Sequence, residues 1–240
     1  MSRPRLVLFD IDGTLLSARG AGRRALGRAL VDVYGTAGPI DTYDFHGGTD
    51  PQIVRDLLTA AGLSAAEIAG RETRLFARYV ECLEAEIGDG RAVTLYPGVA
   101  AVVEALTAVD ACLVGLLTGN IEVGARIKLE PTGLSPCFRF GAYGSDDADR
   151  TRLPAVAARR AEALVGRPFR GPDMVVIGDT PRDVACGRAA GAVVIAVATG
   201  RHTVDDLVRC GADHVFPDLG DTERVVGAIL DESGSGPRGS

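Results

Sequence analysis

The stretch Leu6-Val-Leu-Phe-Asp10-Ile-Asp12-Gly-Thr14 decides the fold that we predict for this chain of 240 residues. An apolar run of four residues stops at two aspartates and a Gly-Thr turn signal, which is typical of a buried strand in a parallel sheet. Open α/β sheets bind their ligands at the carboxyl ends of such strands. Two acids this close repel each other unless a cation is bound between them. The stretch therefore predicts a ligand site beside Asp10 and Asp12.

The composition argues against several classes of partner. The net charge of −6 disfavours a nucleic-acid backbone or an anionic membrane surface. No apolar run approaches the ~20 residues of a membrane span, and the first apolar run reaches Asp10 too soon for a signal peptide. The five cysteines are scattered without CxxC spacing, which is typical of a protein with reduced thiols. We expect a cytoplasmic protein that is a monomer or weak homodimer.

The chain changes character twice after the opening strand. Residues 17–91 have helical spacing and no strand, with helices predicted over 21–34, from an Asp50 N-cap onward, and from a Ser64 capping box to about Ile87. Beyond Tyr96, helices alternate with short apolar strands. The predicted strands are Cys112–Leu117, Phe138–Tyr143, Met174–Ile177 and Val193–Val197. This alternation predicts an α/β fold, a doubly wound parallel sheet with a helical insertion after its first strand. The Gly/Ser-rich tail 231–240 is expected to be disordered.

Three of these strands end in polar residues that belong at one edge of the sheet. They are Asp10 and Asp12, the run Thr118-Gly119-Asn120, and the run Gly178-Asp179-Thr-Pro-Arg-Asp183. Carboxylates suit Mg²⁺, and a hydroxyl with helix N-termini suits phosphate oxygens. Alone, Thr-Gly-Asn is an ordinary turn and Gly-Asp-Thr-Pro is an ordinary helix start. Their combination at successive strand ends predicts a phosphate and metal site.

These three motifs, in this order, resemble those of the haloacid dehalogenase-like (HAD) hydrolase superfamily. The resemblance spans Arg5 to about Leu219. The stretches 20–25 and Gly48-Thr-Asp-Pro-Gln-Ile-Val are similar to phosphoglycolate-phosphatase-like members with a helical cap between the first two motifs. The resemblance implies a Rossmann-like core over 1–16 and 92–230, a cap over 17–91, and Mg²⁺-dependent hydrolysis of a small phosphorylated metabolite through an aspartyl-phosphate.

The resemblance also implies roles for the two opening aspartates. Asp10 corresponds to the nucleophile that attacks phosphorus. Asp12 corresponds to the acid that protonates the leaving oxygen and then deprotonates water. Dehalogenase members lack an acid at the position of Asp12, so its presence indicates a phosphatase.

The remaining roles concern the metal and the phosphoryl group. The resemblance implies that Mg²⁺ contacts Asp10, the backbone carbonyl of Asp12, and Asp179. Asp183 would act through a water or orient a lysine. The phosphoryl oxygens would be held by the second motif. Its residues are Thr118, Gly119 and Asn120.

The chain departs from the family pattern at the third motif, which normally contains a lysine. The corresponding region reads Asp149-Arg150-Thr-Arg152-Leu-Pro154. Lys128 is the sole lysine among 26 basic residues, about two turns into the helix that follows Thr118. Either Lys128 supplies the missing ammonium or Arg150 or Arg152 replaces it, and we favour Lys128 as a catalytic residue. The alternative is an ordinary surface lysine.

Other functions and residues remain open from the sequence. A phosphomutase of β-phosphoglucomutase type would use the same core residues without net phosphate release. A receiver-type signalling module is about half this length and lacks the cap, whereas the retained aspartates argue against a catalytically silent binding protein. Arg23 and Arg24 could meet a substrate anion or be solvated surface residues. The loop His46–Asp50 could be a substrate loop or an ordinary connection.

Overall fold

The structure is a computed structural model that describes residues 4–230. The predicted tail 231–240 lies outside these residues. The strands in chain order are β1 Arg5–Phe9, β2 Leu16–Ser17, β3 Thr94–Leu95, β4 Cys112–Thr118, β5 Gly141–Tyr143, β6 Met174–Gly178, β7 Val193–Val197 and β8 His214–Phe216.

The α-helices surround these strands. In chain order they are α1 Ala21–Tyr34, α2 Asp50–Ala60, α3 Ala65–Ala69, α4 Glu72–Ile87, α5 Val99–Thr107, α6 Glu122–Leu129, α7 Leu153–Val165, α8 Pro181–Ala189, α9 Val204–Arg209 and α10 Thr222–Leu230. Within residues 4–230, none has both the length and the apolar character needed to cross a membrane.

Six strands form one parallel sheet with the order β5-β4-β1-β6-β7-β8. The opening strand β1 lies in the middle, and all five of its residues are buried. A central parallel strand is covered on both faces, which explains its continuous apolar run. The predicted α/β class, a Rossmann-like parallel sheet, is confirmed.

The side chains of β1 alternate between the two faces of the sheet. Val7 and Phe9 pack in a core cluster that includes residues of α1, α4 and α5. Leu6 and Leu8 pack in a second cluster with Ala157 of α7. The strand is therefore packed on both faces. Asp10, which follows its last residue Phe9, lies at the carboxyl edge of the sheet.

Four helices, α1 to α4, follow one another between β2 and β3. The two short strands pair antiparallel, Leu16 with Leu95 and Ser17 with Thr94. The chain therefore leaves the sheet and returns to it at one point. The expectation that residues 17–91 contain no strand is wrong at Ser17, because a strand of two residues is too short to show an alternating pattern.

Two helix starts in this insertion differ from the sequence prediction. The N-cap of α2 is Thr49, whose hydroxyl accepts from the Gln52 amide, and Asp50 is already helical. The Ser64 capping box is confirmed, but α3 ends at Ala69 and α4 begins at Glu72. Gly70 between them has low helix propensity, so the predicted single helix to Ile87 is two helices.

Two strands near the sheet edges also differ from the prediction. The strand predicted over 138–143 is limited to β5, because Phe138 follows a 3₁₀ turn at Ser135–Cys137. The edge strand β8 was not anticipated. It pairs with β7 through only three residues, from His214 to Phe216, which is too short for a clear periodic signal.

Leu8→Ala is expected to lower the free energy of unfolding by about 2–5 kcal/mol, because it leaves a cavity in the centre of the sheet. Leu8 is fully buried, whereas Val208 on α9 is 55% exposed. Val208→Ala is therefore the control and should change stability by about 0.5 kcal/mol at most. Urea denaturation measures both, and equal effects would contradict the central position of β1.

Candidate active site

The carboxyl ends of β1, β4 and β6 lie side by side because the three strands are in register. Phe9 is opposite Leu116 on one side and Ile177 on the other. The residues that follow these strands line one cavity of about 460 Å³. The sequence-predicted residues among its lining are Asp10, Asp12, Thr118, Gly119, Asn120, Lys128, Arg150 and Asp179.

Three buried carboxylates form the floor of this site. Asp10, Asp179 and Asp183 each offer an oxygen, and these atoms lie within 4.8 Å of one another. Burial raises the pKa of Asp10 and of Asp179 well above the ordinary range, and the charge of Asp183 raises both further. Carboxylate oxygens are the ligands that Mg²⁺ prefers. The donor set therefore fits the divalent cation expected from the sequence.

The three carboxylates are not equally available to a cation. Asp183 Oδ1 accepts from Arg150 at 2.5 Å, and Asp183 Oδ2 accepts from the amide and hydroxyl of Thr180 at 3.0 and 2.6 Å. Thr180 is the N-cap of α8, with Pro181 in the first turn. Because both of its oxygens are engaged, Asp183 suits an indirect role, and Asp10 and Asp179 are the better candidate ligands.

Arg150 is the cation that lies against the Asp10 side chain. Its Nη2 donates to Asp10 Oδ1 at 2.9 Å as well as to Asp183, and its side chain is 8% exposed. Asp149 caps the 3₁₀ turn Arg150–Arg152 through the Thr151 amide, which directs Arg150 inward and leaves Arg152 71% exposed. Of the residues considered for the third motif, the structure therefore brings Arg150 to Asp10.

Lys128 lies instead against Asp12. Its Nζ donates to Asp12 Oδ2 and to Asn120 Oδ1, both at 2.6 Å, and its side chain is 5% exposed. It is thus a buried lysine of the site rather than a surface residue. It does not contact Asp183, so the expectation that Asp183 orients the lysine is wrong: Asp183 holds Arg150.

The Asp12 carboxylate binds residues outside the three-carboxylate group. Asn120 Nδ2 also donates to Asp12 Oδ2, at 2.8 Å, and to Thr118 Oγ1, at 2.8 Å. The Asp12 carboxylate is therefore tied to the second motif and to Lys128. The contact with Mg²⁺ expected for Asp12 involves its backbone carbonyl, and it stays a prediction.

Two glycines allow the backbone to approach Asp179 closely. Gly13 has φ +89°, and a β-carbon there would lie 2.4 Å from Asp179 Oδ2. A β-carbon on Gly200 would lie 1.8 Å from the same oxygen. Gly200 was not identified from the sequence, although a Thr-Gly pair, Thr199-Gly200, lies just beyond β7 and another, Thr118-Gly119, lies at the end of β4. The Asp179 carboxylate is thus enclosed by backbone that tolerates no side chain.

The insertion contacts the second motif directly. A β-carbon on Gly119 would lie 1.9 Å from the carbonyl oxygen of Gly48, and the Asp50 amide donates to the Gly119 carbonyl at 2.7 Å. Asp50 Oδ2 also accepts from the Ile121 amide at 2.8 Å. Asp50 was interpreted from the sequence as a cap of its own helix, but its carboxylate instead caps the start of α6.

The loop that precedes Asp50 is held to the core by two arginines. Arg182 Nη1 donates to the His46 carbonyl at 3.1 Å, and Arg201 Nη1 lies 3.1 Å from Asp44 Oδ1. The loop predicted at His46–Asp50 therefore covers the cleft from the insertion side.

Arg23 and Arg24 both bind partners within the insertion, and because Arg23 also lines the cavity, its contact with a substrate anion stays a prediction. Arg23 donates to the carbonyls of Ile40 and Tyr43 at 2.8 and 3.0 Å and stacks on the Phe45 ring. Arg24 pairs with Glu86 at 2.8 Å. Arg23 thus braces the loop, and Arg24 joins two helices of the insertion.

Asp50→Asn is expected to flatten the pH dependence of stability. Burial raises the pKa of Asp50 from 3.8 to about 6, against the opposing charge of Lys128. Because the pKa of Asp50 is higher in the folded than in the unfolded state, Asp50 stabilises the folded protein fully at pH values below its unfolded-state pKa. That stabilisation is lost as the pH rises through the folded-state pKa of about 6. Between about pH 4 and pH 7, the wild type should lose roughly 3 kcal/mol relative to the variant.

Urea denaturation at several pH values measures this difference. The asparagine keeps an oxygen for the Ile121 amide, so the comparison isolates the charge. Asp205→Asn on the exposed side of α9 is the control and should follow the wild type. Parallel stability curves for Asp50→Asn and the wild type would contradict the prediction.

Asp179→Asn is expected to abolish stabilisation by Mg²⁺. A cation that binds only the folded protein at about 100 times its Kd raises the free energy of unfolding by about 2.7 kcal/mol. Without Mg²⁺, the variant should unfold close to the wild-type temperature at neutral pH, because burial raises the pKa of Asp179 to about 9 and the carboxyl is then already uncharged. Thermal unfolding with Mg²⁺ or a chelator measures both effects, and equal Mg²⁺ stabilisation in the two proteins would contradict this role of Asp179.

The comparisons with known proteins agree with this architecture. Residues 4–191 match the family model of the haloacid dehalogenase-like hydrolases. The phosphoglycolate phosphatase of Rhodospirillum rubrum is 30% identical over 220 residues, which cover 90% of this chain and 88% of the relative. That of Synechococcus elongatus is 28% identical and covers 93% of this chain and 98% of its own.

One solved structure supports the fold. A hydrolase from Pseudomonas syringae superposes with a TM-score of 0.71 at 20% identity, covering 95% of this chain and 100% of that one. The family model, the relatives and the three strand-end motifs agree. The chain belongs to the haloacid dehalogenase-like hydrolase family.

Proposed function

We propose that this hydrolase is a Mg²⁺-dependent phosphatase that cleaves a small phosphate monoester through an aspartyl-phosphate on Asp10. One observation carries the proposal: Asp10 is 8% exposed beside Arg150, whereas the Asp12 side chain, two residues away, is 45% exposed in the same cavity. A buried nucleophile and a more accessible acid/base are thereby separated. The phosphoglycolate phosphatases among its relatives make 2-phosphoglycolate the first substrate to test.

In the first half of the reaction, Asp10 attacks phosphorus. Arg150 donates to Asp10 Oδ1, which has a second lone pair for the cation, so Asp10 Oδ2 is the oxygen that forms the new bond. As the bond from phosphorus to the leaving oxygen breaks, Asp12 gives its proton to that oxygen. The products of this half are a free alcohol, an ionised Asp12 and a phosphorylated Asp10.

In the second half, the ionised Asp12 takes a proton from a water molecule, which attacks the same phosphorus. The bond to Asp10 breaks, inorganic phosphate leaves, and Asp12 is again protonated. Throughout, Thr118 and the amides of Gly119 and Asn120 hold the phosphoryl oxygens.

The charges around the phosphoryl group have separate sources. Asp10 and Asp179, with the backbone carbonyl of Asp12, would hold Mg²⁺, which when bound would offset the repulsion between carboxylate and phosphate and stabilise the transferring group. Asp183 acts indirectly, because it orients Arg150 and caps α8 through Thr180. Arg150 therefore takes the role of the third-motif lysine. Lys128, which the sequence predicts to be catalytic, does not have that role.

The insertion, residues 17–91, acts as the cap over the core residues 1–16 and 92–230. Its loop at Gly47–Asp50 lies on the second motif, so it excludes water from the first half of the reaction and selects the leaving group. A phosphomutase of β-phosphoglucomutase type would return the phosphoryl group to a sugar. Net phosphate release separates the two activities.

The test is release of inorganic phosphate from a panel of phosphate monoesters that includes 2-phosphoglycolate, with Mg²⁺ or with a chelator. Asp10→Asn should lower kcat/KM by about 10⁴-fold or more, because the nucleophile is lost. Asp205→Asn is the matched control and should retain full activity. Release that is independent of Mg²⁺, or full activity of Asp10→Asn, would overturn the proposal, as would a silent wild type on the whole panel.

A further inference from the structure

Lys128 is a buried cation that the proposed mechanism leaves without a task. Arg150 already lies against Asp10 and Asp183, 2.9 and 2.5 Å away. Lys128 reaches the site from α6, and its ammonium ends 2.6 Å from Asp12 and from Asn120. Arg150 and Lys128 thus bind different aspartates.

The hydrogen bonds to Asp12 all end on one of its oxygens. Among residues 4–230, Lys128 Nζ and Asn120 Nδ2 donate to Asp12 Oδ2, at 2.6 and 2.8 Å. Asn120 is itself fixed, because its Oδ1 accepts from Lys128 and its Nδ2 also donates to Thr118 Oγ1. Lys128, Asn120 and Asp12 therefore close a ring that leaves Asp12 Oδ1 available for proton transfer.

The cap encloses the Lys128 ammonium from the other side. A β-carbon on Gly22 of α1 would lie 3.2 Å from Lys128 Nζ and 3.5 Å from the Tyr79 hydroxyl of α4. The charge of Lys128 also acts on the buried Asp50 of α2. An ammonium held in this way is a compact point charge with three donors, which differs from the planar fork of an arginine.

We propose that Lys128 is a positioning residue that holds the Asp12 carboxylate with Oδ1 aimed at the leaving oxygen, and that it does not contact the transferring phosphoryl group. This inference rests on the proposed function of Asp12. It explains why the chain retains a lysine at this place although Arg150 occupies the position beside the nucleophile.

Substrates with different leaving groups distinguish the two roles that Lys128 could have, positioning of Asp12 and direct contact with the phosphoryl group. An alkyl phosphate needs a proton on its leaving oxygen, whereas 4-nitrophenolate leaves without one. Loss of a group that acts only through Asp12 therefore penalises the alkyl phosphate selectively. Loss of a group that contacts the phosphoryl oxygens penalises both substrates alike, because both transfer the same phosphoryl group.

The experiment compares kcat/KM on 4-nitrophenyl phosphate and on the best alkyl phosphate of the panel, with Mg²⁺ present. Lys128→Met should lower kcat/KM by about 10²-fold on the alkyl phosphate and by a few-fold at most on the nitrophenyl ester. Asp12→Asn should show the same selectivity. In the double variant, the Lys128 substitution should add nothing, because both changes act on one group.

Arg126→Met, which removes an exposed cation from the same helix, is the matched control and should leave both substrates unaffected. If Lys128→Met does not fold, Lys128→Gln replaces it in the same comparison. Equal losses on both substrates, no loss, or additive losses in the double variant would overturn the inference. Absence of leaving-group selectivity in Asp12→Asn would instead overturn the proposed role of Asp12 itself.

Discussion

The repulsion among three buried carboxylates is the constraint around which this site is built. Asp10, Asp179 and Asp183 offer oxygens within 4.8 Å of one another, where little water remains to screen their charges. Arg150 offsets part of this repulsion by binding two of the three. Burial, followed by the charges of Asp183 and Asp10, raises the pKa of Asp179, and the oxygens of the group fit a small divalent cation. The sheet must be rigid enough to hold such an arrangement, and its central strand is buried on both faces.

The second constraint is close backbone approach. Gly13 and Gly200 enclose Asp179, and Gly119 lies against Gly48 of the insertion. At each place a single methyl group would collide with a carboxylate or a carbonyl. The site is therefore narrow because the backbone itself forms its walls, and the protein positions its charged groups without long, flexible side chains. Lys128 and Arg150 are the exceptions. Lys128 is restrained by the ring that it forms with Asp12 and Asn120, and Arg150 is restrained by its hydrogen bonds to Asp10 and Asp183.

The sequence contains enough information to predict the sheet and the acidic residues of the site. Both depend on a local pattern, which is a buried apolar run followed by polar residues. Parallel strands place the ends of such runs at one edge of the sheet. The partner of each cation could not be predicted, because it depends on the direction in which a turn or helix leaves the sheet. Arg150 is directed inward by the cap from Asp149, whereas two turns of α6 carry Lys128 to Asp12. The partner of the Asp50 carboxylate could not be predicted either, because Ile121 lies 71 residues away in the chain.

The cap that Asp50 provides for α6 has a consequence for motion. The first amide of that region, Ile121, is satisfied by a side chain of the insertion rather than by a neighbour in sequence. If the insertion lifts from the cleft, this amide is released to water, whereas the next amide, that of Glu122, keeps the Ser145 hydroxyl as its acceptor. Protection of the Ile121 amide thus depends on the insertion, and protection of the Glu122 amide does not. The hydrogen-exchange rate of one backbone amide, that of Ile121, therefore reports the open population of the enzyme.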